Sequence, residues 1–282
     1  MRKTRRTGID KLHTLLFGQD LRITEGEPYC QVRPFDFAAN FEPRHLTKPL
    51  PVPAGEVIDI RTFGADPAAE DNAAAVQQAV DAAAKVGGTV LVDGGSYPMS
   101  TVELRSGVTL FITPGSFLAA RPDGKGFRHK ALLYGRDLTN VTLTGGGGLE
   151  GEGHRFGLRP ALPQNCTKPA DLIDVIEMRR TYRAQLRFAH PSKYGGLLCL
   201  EQCQGVHIHH FLFQNSAHWT CRLQMCRDVR IEYAAIRNNR NVANADGFDI
   251  VGGQDLTFRH CMVSTADDGL VFKHAVWLGS SG

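Results

Sequence analysis

Apolar positions recur at helical spacing once along the chain, where Val76, Ala79, Val80, Ala83 and Val86 mark one face between Asn72 and a Gly87-Gly88 stop. This predicts a single amphipathic helix. Upstream, Val57-Ile58-Asp59-Ile60 reads as a strand and Asp66-Pro67 as a turn into the helix; downstream, Thr89–Val92, Thr101–Leu104 and Val108–Ile112 are short β-rich runs, with Gly94-Gly95 between the first two. Residues 1–53 show no sustained periodicity and end in Lys48-Pro49-Leu50-Pro51-Val52-Pro53, whose prolines favour an extended segment. They are read as an N-terminal extension ahead of one domain over residues 54–282.

Beyond the helix the pattern repeats. The apolar pair Val141/Leu143 is followed by Val206/Ile208, Val229/Ile231 and Leu256/Phe258, the last three beginning 23 and then 27 residues apart. A second pair follows in each unit, Phe211/Phe213, Ala234/Ile236 and Cys261/Val263. Strand, short turn, strand and longer connection, with no helix between, predict an all-β solenoid of the parallel β-helix kind, in which inward side chains bury against the rungs above and below. Asn215 and Asn238/Asn239 fall at matching points after the second strand, so a turn ladder is expected there.

Composition supports many short elements. Gly (30) and Pro (14) are frequent among the 282 residues, consistent with turns at close intervals. The 32 Lys+Arg and 29 Asp+Glu leave a formal charge of +3, too balanced for attraction to nucleic acid or an anionic membrane, though compatible with a mildly acidic polymer. Seven cysteines, none in a Cys-x-x-Cys pair, indicate neither a disulfide framework nor a zinc ribbon. The basic start Arg2-Lys3-Thr4-Arg5-Arg6 is followed by Asp10, Lys11 and His13, which leaves Leu15–Gly18 as the only apolar run. No signal peptide is read, so a cytoplasmic location is expected for the chain as written, with secretion the alternative if the true N-terminus differs.

The chemistry concentrates near the end. Asn244-Ala245-Asp246-Gly247-Phe248-Asp249 is followed, 21 residues after Asp246, by Ala266-Asp267-Asp268-Gly269. In isolation an Asp-Asp-Gly is an ordinary turn. An offset of about one rung, however, places both groups side by side on a solenoid, where like charges cannot all ionise freely and one carboxyl is pushed towards a general acid. A protonated carboxyl beside a carboxylate is the pairing that glycoside hydrolysis needs.

These motifs, with Asn215-Ser216-Ala217-His218-Trp219-Thr220 upstream and Leu270-Val271-Phe272-Lys273 downstream, resemble the polygalacturonase family (glycoside hydrolase family 28), whose signatures are Asn-Thr-Asp-Gly and Gly-Asp-Asp. The resemblance covers roughly residues 56–273; Val57–Ala120 is similar to the capping unit and first rungs of pectin-active β-helix enzymes. It implies a right-handed parallel β-helix with an N-terminal capping helix, and inverting hydrolysis of α-galacturonosidic bonds in a pectin-like polysaccharide. Carried over, Asp267 matches the general acid, Asp246 and Asp268 the pair that activates water, and Asn244 and Lys273 positions that border the cleft. No cofactor or metal is implied, and a monomer is expected.

The family continues with Gly-His-Gly and Arg-x-Lys segments, whereas here Gly282 lies 14 residues after Asp268, so the solenoid is expected to lack its last rungs. Arg128-His129-Lys130 has the letters of the second segment but lies far upstream. Two other readings stand beside hydrolysis: a lyase on the same fold, with aspartates holding Ca²⁺ and an Arg or Lys as base, and a non-catalytic carbohydrate-binding β-helix. His207 and His209 share one strand face and are read as stacked or outward-facing rather than metal-binding. Gly145–Gly148 is read as a turn, the basic run Arg179, Arg180, Arg183 and Arg187 as a loop face that could meet an acidic sugar, and Trp219 and Tyr194 as packing or sugar-stacking aromatics.

Overall fold

The structure, a computed structural model, describes residues 50–153, 195–239, 242 and 244–273. Cys30, Cys166, Tyr194 and the basic run 179–187 lie outside them, as does the N-terminal extension up to residue 49. In chain order the strands are β1 (Val57–Asp59), β2 (Thr89–Val92), β3 (Ser96–Met99), β4 (Val102–Glu103), β5 (Thr109–Ile112), β6 (Phe117–Ala120), β7 (Ala131–Arg136), β8 (Thr139–Thr144), β9 (Gly148–Glu150), β10 (Gly196–Glu201), β11 (Gln204–Gln214), β12 (Cys221–Arg237), β13 (Phe248–Arg259), β14 (Met262–Ser264) and β15 (Leu270–Lys273). Every pairing among them is parallel.

These pairings define a β-helix with three faces. On the first, β1, β2, β5 and β8 lead to Val206, Val229 and Leu256, stacked in register. On the second, β3, β6 and β9 lead to the ends of β11 and β12 and to β14. The third face, β4, β7, β10, the start of β12, the start of β13 and β15, occupies what the sequence showed only as the longer connection. The repeat of 23 and then 27 residues is thus the rung length: Leu198 stacks on Cys221 and Cys221 on Phe248. This face includes β10, which begins at Gly196, ahead of the Val206/Ile208 pair.

Inward positions form one continuous core. Ile208, Phe213, Leu223, Ile231 and Ile236 are fully buried, each against its counterpart in the next rung. The predicted helix, α1 (Ala73–Val86), caps the N-terminal end with Val76, Ala79, Val80 and Ala83 turned inward, and Gly87 ends it in the left-handed conformation. Ile60, expected at the end of the first strand, instead opens a 3-10 turn over Ile60–Phe63.

The corner between the first and second faces keeps one backbone solution through six rungs. Gly94, Gly115 and Gly146 adopt φ of 82°, 81° and 89°, and His210, Tyr233 and His260, at the same point of later rungs, adopt 49°, 50° and 51°. Glycine enters that conformation freely. For the others the strain, about 1–2 kcal/mol each, is offset by stacking: the rings of His210 and Tyr233 lie 4.9 Å apart and those of Tyr233 and His260 4.8 Å apart, the spacing of the rungs themselves. The run Gly145–Gly148 is the turn into β9, and a Cβ at Gly145 would collide with the Ile112 carbonyl.

Candidate active site

The two acidic motifs are joined rung to rung by backbone hydrogen bonds. Gly247 N donates to the Asp268 carbonyl at 2.8 Å, Phe248 N to Gly269 at 2.9 Å and Ala266 N to Ala245 at 3.3 Å. The structure therefore brings Asp246, Asp267 and Asp268 together at the turn leading into the third face, Asp246 buried and Asp267 and Asp268 exposed. Asn244, expected at the cleft border, is exposed on the same turn at φ 57°.

A fourth carboxylate joins them. Asp249 is the second residue of β13, where Phe248 and Ile250 point inward, so its side chain stands on the outer surface of the third face, yet it is 0% exposed. Lys273, the last residue of β15, reaches it with Nζ 2.5 Å from Oδ1 and also lies 3.6 Å from Asp246 Oδ2. The same ammonium sits 3.4 Å from the centroid of the Trp219 ring. The Asp246 and Asp249 carboxyls lie within hydrogen-bonding reach of each other, and among the described residues no further donor besides that ammonium reaches Asp246 Oδ1 or Asp249 Oδ2, both buried.

Electrostatics follow from that crowding. Burial pushes the Asp246 carboxyl up to about 6; Asp249 and Asp267 push it further, Lys273 opposes them, and Asp268 adds to the rise. Burial also raises Asp249, against the hydrogen bond and charge of Lys273. The buried carboxyl so raised is Asp246, which the resemblance assigns to the water-activating pair rather than to the general acid.

The turn carrying Asp246 is fixed by a buried amide. Asn238 Nδ2 donates to Thr220 Oγ1 at 2.7 Å and to the carbonyls of Ala245 and Asp246 at 3.1 and 3.2 Å, and its Oδ1 accepts from Ser216 N at 3.0 Å. Thr220 Oγ1 donates to the Asp246 carbonyl at 2.5 Å. Asn215 donates from Nδ2 to Glu150 Oε2 at 3.1 Å, so it too ties its turn to the neighbouring rung. Burial holds the Glu150 carboxyl at about 7.

Other candidates fall away from this turn. His207 and His209 stand on the first face with ring centroids 4.3 Å apart, His207 Nε2 lying 3.4 Å from Glu232. Among the described residues no group of three or more His, Cys, Asp or Glu is placed to hold a metal ion, and the five described cysteines are free. Sequence reasoning missed Asp249, Asn238 and Thr220 as parts of the site. For Asp249 a signal existed in the Phe248/Ile250 alternation, which sends Asp249 outward three residues from Asp246.

The fold has relatives among solved structures. A candidate glycosyl hydrolase from Parabacteroides merdae is 22% identical with a TM-score of 0.59, over 77% of this chain and 92% of that one. The family 28 exopolygalacturonase of Yersinia enterocolitica is 19% identical with a TM-score of 0.60, over 78% of this chain and 45% of that one. The polygalacturonase of Erwinia carotovora is 17% identical with a TM-score of 0.59, over 81% and 60%. The chain therefore spans roughly half the length of these two polygalacturonases, at identities that speak for the fold. No curated protein sequence matches it. The family model for glycosyl hydrolases family 28 matches residues 92–276, which include β3 through β15 and all four aspartates. The chain belongs to glycosyl hydrolases family 28.

Proposed function

We propose that this chain hydrolyses α-galacturonosidic bonds in a pectin-like polysaccharide, with Asp267 as general acid and Asp246 and Asp268 as the pair that activates water. The observation that carries the reading is the stacking of the two acidic turns, which sets exposed Asp267 and Asp268 beside buried Asp246. Asp267 gives its proton to the glycosidic oxygen as that bond breaks. Water attacks the anomeric carbon from the opposite side and loses its proton to the Asp246/Asp268 pair, so the configuration inverts.

The base must be ionised to work. With Asp246 held up to about 6, activity should fall as pH drops below that value. Lys273 already sets a positive charge between Asp246 and Asp249, where a lyase of this fold would need a divalent cation, and this favours hydrolysis over elimination.

The test is release of reducing ends from polygalacturonate by the chain and by Asp267→Asn. Hydrolysis that disappears in a variant with unchanged circular dichroism supports the assignment. An unsaturated, ultraviolet-absorbing product that depends on Ca²⁺ contradicts it, as does undiminished hydrolysis by Asp267→Asn. Binding of oligogalacturonate without turnover by the parent chain would instead support the non-catalytic reading.

A further inference from the structure

The acidic turn poses a problem for an anionic substrate. Asp246 and Asp249 already hold the Lys273 ammonium, and Asp267 and Asp268 add negative charge beside Asp246. A polymer bearing a carboxylate on each sugar is repelled by such a site unless another cation lies within reach. One rung back, on the outer surface of the same face, Arg222 is the register partner of Asp249, at the separation of adjacent strands.

Arg222 is built in rather than loosely attached. Its Nε and Nη2 donate to Cys199 Sγ at 3.1 and 2.9 Å, and Nη2 donates to Glu201 Oε1 at 2.7 Å. Glu201 is in turn fixed through Oε2 by the Tyr134 hydroxyl at 3.0 Å. Every one of these contacts lies on the Nε–Nη2 side, which leaves Nη1 without a partner among the described residues on a side chain that is 28% exposed. A guanidinium held along one edge and open along the other loses little further freedom on binding, and its planar donors match a carboxylate.

We infer that Arg222 is a specificity-determining residue, binding the carboxylate of a uronate unit one rung away from the catalytic turn. Cys199 and Glu201 then act as positioning residues that aim its free edge into the cleft. The inference rests on the reading of the chain as a galacturonan hydrolase, since it assigns the substrate charge that Arg222 meets.

The experiment is calorimetric titration of trigalacturonate, and of its fully methyl-esterified form, into Asp267→Asn and into the double variants carrying Arg222→Gln or Arg222→Lys. Arg222→Gln should weaken binding of the free acid about tenfold or more, the usual scale for a lost charge-assisted hydrogen bond. The ester should bind both backgrounds alike, and Arg222→Lys should recover part of the loss by restoring charge without the planar fork. Equal affinity for the free acid with and without Arg222→Gln overturns the inference. Equal weakening of acid and ester also overturns it, since that marks a general change in the cleft. Absence of binding to Asp267→Asn itself, alongside an absence of turnover by the parent chain, would instead refute the galacturonan reading on which the inference stands. Matching thermal unfolding of the variants separates each outcome from misfolding.

Discussion

The two ends of the solenoid use the same rung for opposite purposes. At the capped end, from β1 to β9, the corner between the first and second faces is glycine, the buried Glu150 carboxyl accepts from Glu152 N and Asn215 Nδ2, and α1 closes the core. At the acidic end, from the start of β12 to β15, the same corner is taken by Tyr233 and His260, and the carboxyls of Asp246 and Asp249 are buried side by side around Lys273. Local rules of charge burial are kept where the molecule must be stable and broken where it must do chemistry. The contrast is therefore a guide to function in itself.

The largest effect is expected where the capped end is opened. Ile112→Ala, at a fully buried position of β5, should cost about 2–5 kcal/mol, read by urea unfolding, from lost burial and the cavity left behind. An equal loss from an equally drastic change at Phe272 would erase the contrast between the ends.

Asn238→Ala is the next test. Its amide holds two carbonyls of the catalytic turn and the Thr220 hydroxyl, so removal should cost about 1–3 kcal/mol. Because the same amide places Asp246, kcat should fall while KM changes little, a split that a purely structural asparagine would not produce.

Asp246→Asn should act in the opposite direction on stability. The folded state holds the Asp246 proton up to about 6 against 3.8 for an unperturbed carboxyl, so the stability present below 3.8 is lost as pH rises through about 6. Asp246→Asn should therefore be more stable than the parent at neutral pH by on the order of 1–3 kcal/mol, while losing activity. The two should converge below about pH 4, as thermal unfolding across pH would reveal. Smallest of all, Phe272→Ser should change stability by less than about 0.5 kcal/mol, because a mostly exposed ring has little burial to lose.

Much of this was legible in the sequence, and the limits have physical causes. Pairs such as Val206/Ile208 and Val229/Ile231 announced the first face because one side of each strand is buried and the other wet. Phe211/Phe213 and Ala234/Ile236 announced the second. The third face stayed hidden because Leu197-Leu198-Cys199-Leu200 is apolar on both sides and shows no period, and Cys221-Arg222-Leu223-Gln224 is too short to stand out. Asp246, Asp267 and Asp268 were legible because their separation equals a rung. Asn238 was not, since its partners Ser216 and Thr220 lie on the neighbouring rung and meet it only when the two rungs are stacked.

The most direct test of the account is proton NMR of the first product formed from polygalacturonate, with the parent chain and Asp267→Asn side by side. The β-anomer appearing first, and only with the parent chain, is the predicted result. An α-anomer first, or an unsaturated uronate, would contradict a water-activating pair set opposite a proton-donating aspartate.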